Sequence, residues 1–193
     1  MSQNPIDFLS EDDFFRWATK LVGTLDELFV VSHTPIMFFD DEQVGPAKDY
    51  LKALYGRFVS GELRTTYFMS EGVMRTHYPR FDLTVPGSFQ QMDQWQRTWE
   101  LRQNVSVKVV RLGHFPSVSL FLGNEKGTVL TTTVKVRFEA ESLAHPPLWL
   151  RVGGAIPGVD RLLRDLDKNS EPFGNFLSRL KTEKMKDLEN MPG

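Results

Sequence analysis

Cysteine is absent from the 193 residues of this chain. Disulfide bonds, cysteine-ligated zinc, cysteine-ligated iron–sulfur clusters and thiol nucleophiles are therefore excluded. The four histidines include no pair at the spacing of a metal site, such as His-x-x-x-His. The sequence thus suggests neither a metal ion nor a cofactor.

The chain also lacks an excess of charge of one sign, because 23 basic and 25 acidic side chains leave a net charge of −2. Proteins that bind nucleic acid usually carry a basic excess, since binding releases counterions from the phosphates. Nucleic acid is accordingly a disfavoured partner.

Long hydrophobic runs are missing as well. The longest apolar stretches, such as residues 28–31 and 35–39, are far too short to span a bilayer. The first residues do not show a charged segment followed by an apolar one, which is the pattern of a secretory signal. We therefore expect no membrane partner and a cytoplasmic location.

The composition that is present is typical of a globular domain, with 40% hydrophobic and 25% charged residues. A chain of this length buries roughly 70% of its unfolded surface, which is enough for a core without metal or disulfide cross-links. We expect one domain over residues 1–180. Residues 181–193 mix lysine with acidic residues and are expected to form a flexible charged tail.

Helix and strand patterns alternate in the first half of the chain. Ser10 with Asp13 indicates a helix start, and apolar residues at spacings of three and four follow it. Residues 28–32 and 63–69 are typical of buried strands, with a helical pattern between them. A connection of this length favours parallel pairing of the two strands.

The second half is richer in strand patterns. Residues 118–122 and 128–138 read as a hairpin around the glycine-bounded turn at 123–127, and residues 148–152 as a further strand. The sequence therefore predicts an α/β fold built on a single mixed β-sheet flanked by helices. This sheet is parallel in its first half and contains an antiparallel hairpin in its second half.

A long loop is expected over residues 72–86, which contain two prolines, a glycine and several polar residues. Loops of this length in compact domains are often functional or mobile, and the sequence does not decide between the two. Residues 88–101 have a helical pattern, and residues 105–109 alternate like a strand.

The order of these elements, together with the hairpin, resembles one half of a phospholipase D-like domain. The family signature is His-x-Lys-x-x-x-x-Asp on a strand entering such a hairpin, which implies a histidine nucleophile with a lysine and an aspartate beside it. At that spacing this chain carries Ser117, Ser119 and Asn124. A serine without an adjacent base is a poor nucleophile, and the signature retains no cation to stabilise the transition state. The resemblance thus implies a scaffold that has lost the reaction.

Two further groups of residues are candidates for binding. His33 follows a predicted strand at its carboxyl end, where open α/β sheets bind ligands. The loop after the next strand contains two arginines, whose guanidinium groups bind phosphate or carboxylate through bidentate hydrogen bonds. The candidate ligand-binding residues are Ser32, His33, Thr34, Arg75, His77, Arg80, Ser117, Ser119 and Asn124.

The leading hypothesis is a non-catalytic phospholipase D-like sensor or accessory domain that binds a small anionic ligand or a partner protein. The alternative is a phosphodiesterase or nuclease that uses a non-standard site at His33 or His77. A third interpretation, a structural homodimer module, is implied by the family resemblance.

Overall fold

The computed structural model describes residues 6–32, 44–76, 104–116, 119–125, 128–136 and 148–189. The predicted helix over 88–101 lies outside these residues, as does most of the predicted loop over 72–86. The described strands are β1 (Ile6–Leu9), β2 (Glu27–Ser32), β3 (Arg64–Ser70), β4 (Val105–Val110), β5 (Ser119–Glu125), β6 (Thr128–Val136), β7 (Leu148–Gly153) and β8 (Ser170–Pro172). The described helices are α1 (Glu11–Val22), α2 (Gly45–Ser60), α3 (Glu71–Thr76), α4 (Val159–Lys168) and α5 (Phe173–Glu189).

These strands form one mixed sheet in the order β1-β7-β6-β5-β2-β3-β4-β8. β2, β3 and β4 are parallel, whereas β5 pairs antiparallel with β2 and the remaining pairs are also antiparallel. The α/β fold with a single mixed sheet is therefore confirmed. Its parallel half comes first along the chain and its hairpin comes later, as predicted.

Helix α1 begins where the sequence predicts, because Ser10 caps it. The Ser10 hydroxyl accepts a hydrogen bond from the Asp13 backbone N–H at 3.2 Å, which satisfies one of the unpaired donors of the first turn. Residues spaced three and four apart along the helix, among them Phe14, Ala18 and Val22, are buried against the sheet.

The sheet is covered on both faces. The larger core lies between one face and helices α1, α2 and α5, and a smaller core lies between the other face and α4. Phe68 and Tyr67, adjacent on β3, point into the smaller and the larger core respectively. In the described part of the chain, no helix is long and apolar enough to cross a membrane.

The hairpin of β5 and β6 contains a register shift. Asn124 pairs with Val129, whereas Gly123 pairs with Thr131, so Leu130 is the extra residue of a bulge in β6. Every pair beyond this point is displaced by one residue from the register set at the turn. The bulge therefore decides which side chains of β6 stand beside those of β5.

Several boundaries differ from the sequence prediction. β5 continues through residue 125 instead of ending at 122, and residues 72–76 belong to α3 instead of a loop. α5 continues to residue 189, so residues 181–189, predicted as part of a charged tail, are helical. The physical reason lies in distant partners: Glu183 of α5 pairs with Arg75 of α3, a contact that local pattern does not reveal. β1 and β8 were not predicted, since strands of three or four residues carry little periodic signal.

Candidate functional site

The strand register places one residue of each strand in a single row near the carboxyl ends of the parallel strands. Val31 pairs with Leu120, and the next residues in that register are Ser32 and Ser119. From one side of the sheet to the other, the row consists of Leu9, Trp149, Lys135, Ser119, Ser32, Met69, Val109 and Glu171. Residues that are paired in this way share a face. This is the face with the larger core, to which Trp149 and Met69 belong.

Three polar residues lie together in the middle of the row: Ser32, Ser119 and Lys135. We call them the edge triad. Their neighbours on either side, Trp149 and Met69, are buried apolar groups. Ligands of open α/β sheets bind at the carboxyl ends of the strands, and the edge triad lies at that end. Two hydroxyl groups and one ammonium group there are suited to hydrogen-bond an oxygen-rich anion.

Lys135 is the charged member of the edge triad and is well shielded from solvent. Its side chain is 17% exposed, and Nζ donates a hydrogen bond to Glu11 Oε1 at 2.7 Å. Nζ also lies 5.2 Å from the centre of the Trp149 ring, a cation–π distance. Trp149 in turn stacks on Phe14 of α1, with 3.7 Å between the ring centres. The ammonium group is therefore held between an aromatic surface and a single carboxylate.

The bulge in β6 is what brings Lys135 to this position. Without the extra residue Leu130, the register set at the turn would pair Ser119 with Val134 instead of Lys135. A shift of one residue moves the side chains of a strand to the opposite face. The inserted residue therefore turns the lysine towards the serines, so that the edge triad has a cation.

A second charged cluster lies at the same edge, beyond the end of β3. Glu71 is 6% exposed, and its Oε1 accepts hydrogen bonds from Arg75 Nε and Arg179 Nη2, each at 3.0 Å. Glu71 Oε2 accepts a hydrogen bond from the Leu112 backbone N–H at 3.3 Å. The two arginines also pair with Glu183, at 2.8 and 3.1 Å, and Arg179 pairs with Glu171. We call these five side chains, three carboxylates and two guanidinium groups, the Glu71 network.

Ion pairing within the Glu71 network changes the proton affinity of its members. Burial alone would raise the pKa of Glu71, but hydrogen bonds from Arg179 and Arg75 outweigh it and hold the pKa below its usual 4.5. The hydrogen bond from Arg75 lowers the pKa of Glu183 in the same way. The pKa of Arg179 is raised, chiefly by its hydrogen bond to Glu171. Glu71, Glu183 and Arg179 are thus stabilised in their charged forms.

The structure brings some of the predicted site residues together and separates others. Ser32 and Ser119 lie side by side in the edge triad. Arg75 lies at the same edge, but its guanidinium group is engaged by Glu71 and Glu183. Asn124 lies at the opposite end of β5, where its amide donates a hydrogen bond to Glu27 Oε2 at 3.0 Å.

The other predicted residues lie outside the described part of the chain: His33, Thr34, His77, Arg80 and Ser117. Among the described residues, His114 is the only histidine, and it is exposed in the connection between β4 and β5. No cluster of three histidine or acidic side chains in the same part of the chain is arranged to hold a metal ion.

Lys135 and Glu11 are the residues of this region that the sequence did not identify. The alternation of β6 places Lys135 on one side of its strand, but nothing local indicates the bulge that aligns it with Ser119. Glu11 lies in the acidic first turn of α1, which the helix dipole already explains. Local sequence patterns do not give the strand register, so they could not indicate that these two residues meet.

No family model and no curated protein sequence matches the chain. Among solved structures, phosphatidylserine synthase from Haemophilus influenzae Rd KW20 is similar with a TM-score of 0.53 at 8% identity, over 96% of this chain and 47% of that one. Nuc from Salmonella typhimurium, a phospholipase D family member, is similar with a TM-score of 0.48 at 9% identity, over 87% of this chain and 95% of that one. For TrmBL2, an archaeal chromatin protein, the TM-score is 0.42 at 7% identity, over 92% of this chain and 54% of that one.

The chain thus spans about half the length of the synthase and of TrmBL2. Phosphatidylserine synthase belongs to the phospholipase D superfamily, and its similarity to this chain concerns the fold. Together with the mixed sheet and its hairpin, this similarity confirms the resemblance noted in the sequence: the chain has a phospholipase D-like fold.

Proposed function

We propose that the chain is a non-catalytic phospholipase D-like module, a sensor or accessory domain, that binds a small anionic ligand at the edge triad. The observation that carries this proposal is the position of Lys135. It is a shielded lysine in register with Ser119, at the carboxyl edge of the sheet.

The capacity of the edge triad for an anion follows from its hydrogen-bond donors. The ammonium group of Lys135 has three N–H donors, and the bond to Glu11 uses one of them. Because the side chain is only 17% exposed, its charge is less screened by water than that of a surface lysine. An anion placed between Lys135 and the hydroxyl groups of Ser119 and Ser32 is therefore stabilised by both charge and hydrogen bonds.

We expect no turnover, because of the chemistry of the same residues. A serine attacks phosphorus or carbon effectively only when an adjacent base accepts its proton. The carboxylate of Glu11, which lies beside the edge triad, is ion-paired with Lys135. The position that the family signature gives to its lysine is Ser119 in this chain. A domain with this set of groups retains its ligand unchanged, which suits a sensor or accessory role.

The binding part of the proposal is tested by titrating the chain with inorganic phosphate at constant ionic strength and following tryptophan fluorescence. Trp149 contacts Lys135, so we expect a saturable change that is absent in a Trp149→Phe variant. Lys135→Gln is expected to weaken phosphate binding at least tenfold. Lys108→Gln is the matched control, since Lys108 is also a strand lysine paired with a carboxylate, that of Asp167. Equal binding by the wild type and Lys135→Gln would overturn the assignment.

The catalytic part is tested with bis(p-nitrophenyl) phosphate as the substrate. We expect no hydrolysis above that of the buffer. Hydrolysis by the wild type that is lost in His33→Ala or His77→Ala, with the melting temperature unchanged, would instead support the phosphodiesterase or nuclease alternative. That result would refute the non-catalytic role.

A further inference from the structure

The carboxylate of Glu11 is ion-paired with the ammonium group of Lys135, beside the place that an external anion would take. We infer that Glu11 is an internal competitor that makes the edge triad selective for tetrahedral dianions, phosphoryl groups or inorganic sulfate, over carboxylates. This inference rests on the proposed function, because it concerns the selectivity of the same site.

Lys135 and Glu11 differ in their exposure to solvent and in the groups that surround them. Lys135 is 17% exposed, on a central strand and against Trp149, whereas Glu11 is 42% exposed in the first turn of α1. Glu11 is therefore able to turn into water while Lys135 stays in place. Its charge remains favourable there, because the first turn of a helix stabilises a negative side chain.

A ligand binds only if it competes successfully with Glu11 for the charge of Lys135. Glu11 is tethered beside Lys135 through α1, so it competes at a high effective concentration. A free monocarboxylate forms the same ion pair with the ammonium group but is not tethered, so Glu11 outcompetes it. A phosphoryl dianion or a sulfate ion carries twice the charge and several acceptor oxygens, which reach Lys135 and the serine hydroxyl groups together.

The test compares Glu11→Gln with Asp12→Asn, titrated with sodium phosphate, sulfate and acetate at constant ionic strength. Both variants remove one negative charge from the first turn of α1, but it is Glu11, not Asp12, that is ion-paired with Lys135. We expect the wild type to bind phosphate and sulfate but not acetate. Glu11→Gln should bind phosphate about threefold more tightly and should now bind acetate, while Asp12→Asn should behave as the wild type.

Each outcome of the test separates the inference from the proposed function. An equal gain in Glu11→Gln and Asp12→Asn would mean a general effect of net charge and would overturn the role of Glu11, while the site itself would stand. Acetate binding by the wild type would overturn the selectivity. If neither the wild type nor Glu11→Gln bound phosphate, the proposed function would fail as well.

Two further probes distinguish a soluble ligand from a lipid-borne one. Glycerol 3-phosphate carries the phosphoryl dianion on a small molecule, and phosphatidic acid in phosphatidylcholine vesicles carries it on a lipid. Competition against phosphate by either probe, lost in Lys135→Gln, supports a phosphoryl ester in that form. Failure of both probes would overturn the assignment of a phosphoryl ester as the ligand.

Discussion

Two ion-paired sites among the described residues at the carboxyl edge of the sheet differ in how many opposite charges surround each cation. In the Glu71 network, three carboxylates surround two guanidinium groups, and the central carboxylate is 6% exposed. At the edge triad, one lysine faces one carboxylate that is 42% exposed. The cations at this edge therefore differ in how far neighbouring carboxylates neutralise them.

The difference assigns the two sites different roles. The Glu71 network joins α3, β8, α5 and the segment after β4 through hydrogen bonds and ion pairs. Arg75 and Arg179 also lie 6.0 and 5.5 Å from the ring of Phe176, which fixes them further. In such a cluster each guanidinium group is paired with at least two carboxylates, which stabilises the fold, whereas Lys135 is paired with one.

The largest effect is expected from Glu71→Gln, which removes the central charge of the Glu71 network. Removing one partner of a buried ion pair is strongly destabilising, although Arg75 and Arg179 keep Glu183 and Glu171 here. We expect the free energy of unfolding to fall by about 2 kcal/mol, measured by urea denaturation.

The control for this variant is Asp49→Asn. The pair of Asp49 with Lys52 is long, at 3.8 Å, and both side chains are more than two-thirds exposed. Exposed pairs of this kind contribute little, so the unfolding midpoint should not change. A Glu71→Gln variant as stable as this control would show that the Glu71 network does not stabilise the fold.

The second prediction concerns the pH range in which the Glu71 network stabilises the protein. Glu71 and Glu183 have pKa values below the usual 4.5 in the folded state, so the unfolded chain takes up protons first as the pH falls. Their contribution is complete above pH 4.5 and is lost as the pH falls through the folded values. The difference in stability between the wild type and Glu71→Gln should therefore shrink below pH 4.5. A difference that stayed constant down to pH 3 would contradict the lowered pKa values.

The third prediction tests the bulge on which the edge triad depends. A Cβ atom at Gly123 would lie 2.8 and 2.9 Å from the two terminal carbons of the buried Leu25 side chain. Gly123→Ala therefore overpacks this site beside the register shift, and we expect a loss of about 1.5 kcal/mol in urea denaturation. Phosphate binding should weaken too, since Lys135 is positioned by the same part of the hairpin.

Gly56→Ala is the matched control, because a Cβ atom there meets nothing within 4 Å. Gly56 lies within α2, where alanine is the better helix former, so this variant should be more stable by up to about 1 kcal/mol. Destabilisation by both variants would mean that contact with Leu25 is not the cause.

The features that were predictable from the sequence depend on neighbours along the chain. The start of α1 follows from Ser10 and its apolar face from residues three and four apart, and the structure confirms both. The parallel strands and the hairpin were predictable from strand patterns and connection lengths. The location of Ser32 and Ser119 at one edge follows from the same topology.

The features that were not predictable depend on residues far apart or on a single inserted residue. Glu71 and Arg179 meet although they are 108 positions apart, and no local pattern indicates that Arg75 is engaged by the same carboxylate. The alignment of Lys135 with Ser119 needs Leu130 as the extra residue of β6. The sequence therefore indicated Ser32 and Ser119 as candidates but gave no signal that Lys135 lies beside them.

The smallest effect on stability is expected at the edge triad itself. Lys135→Gln leaves Glu11 without its partner, but Glu11 is exposed enough to be hydrated, and the glutamine still covers part of Trp149. We expect the free energy of unfolding to change by about 0.5 kcal/mol, well below the effect of Glu71→Gln. Urea denaturation of the two variants under the same conditions gives the comparison directly. A loss at Lys135 as large as that at Glu71 would mean that the lysine is part of the stabilising framework, and its spare hydrogen-bond donors would then no longer argue for a ligand.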